Sequence, residues 1–176
     1  MFEELNKIIE HNDIITPIKF MENSDVIYAG ILPDDSFNKL DQSKYFKVTQ
    51  GNGLTTFKVK QFTLKENYII FCHTLFIDSL FKHLENIDEL KNLKLITSQT
   101  DIPITKNLFN KKPNCISQWF SINVSFSNNN LIPIPLGIVG DGNKKNLAPD
   151  NLIKINLNKQ RENKIYFNFN LNTNYF

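Results

Sequence analysis

The amino-acid sequence predicts a three-layer α/β domain built on a mostly parallel sheet, and three observations lead there. The run YIIFC at residues 68–72 is apolar without alternation, the pattern of a strand covered on both faces. Phe76, Leu80, Phe81 and Leu84 then recur at helical spacing. Strand-type runs return at LKLITS (residues 93–98), CISQWF (115–120) and LIPIPLGI (131–138), each followed by a polar loop. Strand, helix and strand in succession describe βαβ units.

The elements are expected in the following order. Phe2, Leu5, Ile8 and Ile9 share one helical face, so residues 2–11 should open the chain as a short amphipathic helix. The stretch at residues 45–62 holds two β-rich runs around Gly51-Asn52-Gly53, with Phe57 and Val59 alternating against Lys58 and Lys60. This reads as a hairpin with one wet face. A short helix should follow Asp101, starting near Pro103. Pro133 and Pro135 push the LIPIPLGI strand to the sheet edge, because proline has no N–H for a central ladder. Residues 151–160 are read as the start of a connecting helix, and KIYFNFN at 164–170 as one more strand.

The chain has 176 residues, enough for one domain but not for two. Lys and Arg number 20 against 18 Asp and Glu, and Arg161 is the only arginine. That composition gives no basis for nucleic-acid binding, which needs a basic stripe with several Arg forks. No apolar run approaches the roughly 20 residues of a membrane span. The acidic amphipathic start differs from a secretory signal, so a cytoplasmic location is expected. Cys72 and Cys115 lie in apolar stretches far apart in sequence and are read as buried free thiols. No metal site is expected.

In an open parallel sheet, ligands bind beyond the carboxyl ends of the strands. Those ends carry Cys72-His73-Thr74, Ser98-Gln99-Thr100-Asp101, Ser121-Ile122-Asn123 and the loop at residues 137–143. Together they offer a carboxylate, an imidazole, amides, hydroxyls and glycines, a chemistry suited to a hydroxyl-rich ligand. The same residue types also cap helices and turn chains: Asp101 and Thr100 could cap the next helix, and Asn123 could be a turn residue. His73, as a lone histidine at a strand end, reads as a hydrogen-bonded structural residue. Gly137, Gly140 and Gly142 do not form a dinucleotide fingerprint, because no helix follows at the required spacing.

The runs LKLITSQTDIPI, CISQWFSINV and LIPIPLGIVGDGN, in that order and spacing, resemble the exostosin-like glycosyltransferases. Members of that family read as a strand ending in THNSD, then WFAQN, then IPIGIAN followed closely by HGN. The matching positions here are residues 98–101, 119–123, 134–140 and 141–143, and the resemblance extends over residues 68–174. Asp101, Asn123 and Gly142-Asn143 match the family pattern. Ser98-Gln99 stand where the family has His-Asn, with Thr100 in the Ser place, and Ile122 and Asp141 replace a Gln and a His.

The resemblance implies the first, acceptor-side half of a GT-B enzyme, a Rossmann-like domain over residues 1–160. Residues 161–176 would be the first strand of a second half or a C-terminal tail. It implies a glycan acceptor, a sugar nucleotide as donor substrate, and no other cofactor. Asp101 would be the catalytic base, while Gln99, Thr100, Asn123, Gly137, Gly140, Gly142 and Asn143 would bind substrate. The alternative is a non-catalytic carbohydrate- or partner-binding remnant of such an enzyme, which the missing histidines favour. The 164–170 strand, with Ile165, Phe167 and Phe169 on one face, is expected to fold back on the domain or to pair with another chain. That chain would be a second glycosyltransferase half or a copy of the same protein.

Overall fold

The computed structural model describes residues 15–85, 87 and 90–137. Near the start of the described residues stand Thr16 and Pro17, and both favour a helix start. The Thr16 hydroxyl accepts from the Lys19 backbone N–H at 3.3 Å, and Pro17 occupies the first helical position of α1, Pro17–Glu22. Strand β1, Val26–Pro33, follows. It ends where Pro33 and two aspartates begin α2, Asp34–Asn38, with both carboxylates in the first turn, where the helix dipole favours them.

Strands β2, Tyr45–Gly51, and β3, Leu54–Val59, form the expected hairpin. Gly51 pairs with Leu54, and Asn52 and Gly53 between them have φ of 54° and 76°. Two consecutive left-handed residues match the twist of an antiparallel pair, which is why Asn-Gly serves here. The apolar run at 68–72 becomes β4, Ile69–His73, followed by a 3₁₀ turn, Thr74–Phe76, and α3, Ile77–Leu84. Then come β5, Leu93–Ser98, α4, Lys106–Asn110, β6, Ile116–Ser121, and β7, Leu131–Pro133.

The seven strands form one sheet in the order β2-β3-β1-β4-β5-β6-β7. From β1 to β7 every neighbouring pair is parallel, and the β2–β3 hairpin joins β1 antiparallel. The fold is α/β, with a mixed and mostly parallel sheet. The short β7 lies at the sheet edge, as its prolines required. The helix between β5 and β6 starts at Lys106, with Thr105 as its cap, and not near Pro103. The reason is local: a residue preceding proline is driven out of the helical region, and Ile104 instead bridges to Val124 in a strand-like contact.

Adjacent residues on β4 sort the core into two layers. Ile70 and Cys72 pack with Leu80, Phe81 and Leu84 of α3 and with Trp119, whereas Phe71 packs with Met21 of α1, Phe37 of α2 and Phe57. Side chains alternate across a strand, so the two clusters lie on opposite faces of the sheet. Trp119 anchors the first: Phe81 meets its ring edge-on at 5.5 Å and Phe109 of α4 stacks at 5.9 Å. Its indole N–H donates to the Thr97 hydroxyl at 2.9 Å, and Thr97 and Ser121 share a 2.9 Å hydrogen bond, so this buried polar group has a partner. Both cysteines are buried free thiols.

The expected helix at 2–11, the segment at 151–160 and the strand at 164–170 lie outside the described residues. Among the described residues no helix is long and apolar enough to cross a membrane, and no group of three or more metal-ligating side chains gathers.

Phe71 is fully buried between the sheet and α1–α2. Phe71→Ala should lower unfolding free energy by about 3–5 kcal/mol through lost transfer and cavity terms. The shift in urea midpoint reads this directly.

Candidate functional site

The carboxyl ends of the parallel strands converge on a set of loops held mainly by side-chain amides. β1 is longer than its parallel neighbour β4, and pairing with β4 reaches only Ala29. Beyond that point Ile31 would present an unpaired N–H and C=O toward β4. Gln99 fills the gap: its Nε2 donates to the Ile31 carbonyl at 2.7 Å and its Oε1 accepts from the Ile31 N–H at 2.9 Å. The residue reaches across because its own backbone turns left-handed, at φ 68°. Gln99 thus pairs with β1 as a short strand would. Its amide, expected to contact substrate, is engaged with the Ile31 backbone.

On the other side, Asn123 donates from Nδ2 to the Thr100 carbonyl at 2.7 Å, and its own carbonyl accepts from the Ile104 N–H at 2.8 Å. Ser125 closes the same seam, its N–H and hydroxyl both donating to the Ile104 carbonyl. The loops after β5 and β6 are therefore laced together. The Thr100 hydroxyl accepts from the Ile102 N–H at 3.2 Å and so supports the local turn.

Asp101 projects from the middle of this braced loop and is exposed. It does not cap α4, a role that belongs to Thr105. Among the described residues it has no hydrogen-bond or ion-pair partner. The structure thus brings Gln99, Thr100, Asp101 and Asn123 into one loop cluster, with a single carboxylate free to meet solvent.

Gly137 has φ 77°, and a Cβ added there would lie 2.5 Å from the Ile15 carbonyl oxygen. The close approach that glycine permits is to the chain's own backbone, where a ligand had been expected. Gly140, Gly142 and Asn143 lie outside the described residues. The cavities at three places on the described surface are lined by other residues than Asp101, Asn123 and Gly137. One of about 580 Å³ sits at the opposite, amino end of the strands beside Asn92, Lys112 and Cys115. One of about 450 Å³ lies against Phe126, Leu131 and Pro133, and one of about 460 Å³ lies by Phe62 and His83.

His73 is buried at 1% exposure. Its Nδ1 accepts from the Leu75 N–H at 3.3 Å, which starts the 3₁₀ turn. Burial pushes its pKa down from 6.5 to about 4, against an opposing pull from the Gln99 backbone. A neutral imidazole used as an acceptor is a structural group, as its sequence position suggested. Ser98 pairs with His73 in the ladder, and its buried hydroxyl has no partner among the described residues.

Sequence reasoning missed Asp34, which lies at the same carboxyl end as the other loops because β1 was not recognised as a strand. Its carboxylate accepts from the Thr55 hydroxyl at 2.5 Å, and that hydrogen bond holds it below the usual range. The signal was available as a β-branched and aromatic run ending in Pro-Asp-Asp. Comparison of the chain with protein-family models, with curated proteins and with solved structures finds no match.

Two outcomes follow at this end of the sheet. Gln99→Glu keeps the acceptor for the Ile31 N–H but sets a carboxylate oxygen against the Ile31 carbonyl. At pH 7 it should lower unfolding free energy by about 1–3 kcal/mol, the cost of a buried polar group left unpaired. The second concerns acid. The folded state holds His73 neutral down to about pH 4, while the unfolded chain protonates it near 6.5. Its contribution is complete above pH 6.5 and is lost as pH falls toward 4, up to about 3 kcal/mol. Urea titrations across this window should show that slope in the parent chain and a flatter one in His73→Asn, whose amide oxygen can still accept from Leu75.

Proposed function

We propose that this chain is a glycosyltransferase-like protein whose described residues are the Rossmann-like, acceptor-side half of a GT-B enzyme acting in glycan or polysaccharide synthesis. The observation that carries the proposal is the Asp101 loop. An exposed carboxylate without a partner among the described residues stands at the carboxyl end of a mostly parallel sheet, on a loop fixed on one side by Gln99 and on the other by Asn123. A general base must be held in place to take a proton from an acceptor hydroxyl, and that bracing supplies the support. The sequence resemblance puts Asp101 and Asn123 at matched positions. Donor binding belongs, on this proposal, to a second half.

A second reading is favoured by a specific observation. The amides of Gln99 and Asn123 are engaged with backbone, and Gly137 packs on Ile15, so fewer groups are left for a ligand than the sequence suggested. A non-catalytic carbohydrate- or partner-binding remnant needs no more than the exposed loop surface.

Saturation-transfer NMR with a panel of oligosaccharides tests the proposal. Binding of at least one glycan should appear, and Asp101→Asn should weaken it by about tenfold, in line with the loss of a charge-assisted hydrogen bond. The melting temperature should stay unchanged, as for an exposed surface side chain. Binding that Asp101→Asn leaves intact supports the remnant reading. Absence of glycan binding across the panel rejects the enzyme reading and the carbohydrate-binding form of the remnant.

A further inference from the structure

We propose that the cavity at the amino end of the strands is a binding site for a small carboxylate with an apolar body, its charged head on Lys112. The proposal does not depend on the glycosyltransferase reading, because Asp101 and its loop lie at the other end of the sheet. In a βαβ chain each helix runs back to the amino end before the next strand begins, so the connections gather there. Three of them enclose the cavity of about 580 Å³: the end of α3, the run before β5, and the turn between α4 and β6. That volume is within the range of small-molecule sites.

The lining divides by chemistry. Leu84 at the end of α3, with Ile87 and Leu90 after it, supplies apolar surface. Lys91 and Asn92 before β5, and Lys112 and Asn114 after α4, supply two ammonium groups and two amides. Against them stands one carboxylate, Glu85, among the described residues that line the cavity. This balance favours an anion that also carries hydrocarbon.

Lys112 is the residue that selects the charge. A turn holds it in place: the Ile116 N–H donates to the Pro113 carbonyl at 3.1 Å, and the Lys112 ammonium reaches across to donate to the Ile116 carbonyl. It also lies 5.8 Å from the centre of the Phe109 ring. The side chain is partly buried, whereas that of its neighbour Lys111 is exposed. Among the described residues no carboxylate lies within ion-pair distance of Lys112. A cation partly removed from water without a counter-charge is held at a cost, and burial lowers its pKa against an opposing pull from Cys115. An anionic head beside Lys112 offsets that cost, and a neutral ligand does not.

Amide chemical shifts of the full chain, titrated with hexanoate, test the proposal. The amides of Leu84, Asn92, Asn114 and Cys115 should move together and saturate. Hexanol, with the hydrocarbon and no charge, and acetate, with the charge and little hydrocarbon, should each bind at least tenfold more weakly. Lys112→Met should weaken hexanoate binding at least tenfold, while Lys112→Arg and Lys111→Met change it less than threefold. The hexanol comparison uses the parent chain, so it stands even where Lys112→Met loosens the turn. The proposal is overturned by hexanoate that moves none of these amides, by hexanol that binds as tightly as hexanoate, or by an affinity that Lys112→Met leaves within threefold or Lys111→Met lowers as much.

Discussion

A strand that outruns its neighbour inside a sheet leaves backbone groups, here partly buried, that must be satisfied, and the carboxyl end of this domain is organised around that constraint. β1 extends past β4, and the Gln99 amide supplies the missing N–H and C=O to Ile31. To do so, the chain must turn sharply at the end of β5 and take a left-handed conformation at Gln99. That turn sets where Thr100 and Asp101 emerge. Asn123 then grips Thr100 from the far side. The direction of the one exposed carboxylate in the cluster is therefore fixed by a side chain repairing a ladder two strands away.

The same economy governs the layers. One face of the sheet is held by α3 and α4 through Trp119 and its aromatic neighbours, and the other by α1 and α2 through Phe37, Phe57 and Phe71. The hairpin is tied to the first face as well: the Lys58 ammonium lies 4.8 Å from the centre of the Tyr28 ring and donates to Ser79 of α3, whose hydroxyl also meets Tyr28. Antiparallel and parallel halves thus share one body, with β1 as the strand common to both.

Much of this was legible in the sequence. The run at 68–72 became a central parallel strand, as an uninterrupted apolar segment covered on both faces does, and those at 93–98 and 115–120 became the next strands with Lys94, Ser117 and Gln118 only partly buried. Asn52-Gly53 marked the hairpin, since few other residue pairs tolerate two left-handed conformations in succession. β1 was harder to read, because Ala29 and Gly30 dilute its apolar signal. Gly30 is there because a Cβ would come within 2.9 Å of the Met21 sulfur and 3.1 Å of the Phe57 ring. Strand ends located Gln99, Thr100, Asp101 and Asn123, which lie together in the structure. Their roles were not legible. Whether Gln99 meets a ligand or a backbone depends on β1 being longer than β4, a relation between distant segments that local pattern does not encode.

The contact between Gly137 and Ile15 has a consequence for chain topology. The Gly137 α-carbon lies against the Ile15 carbonyl, so two positions far apart along the chain are held side by side. A covalent staple between them would close a long loop and act mainly on the unfolded chain, cutting its freedom without asking the fold to move.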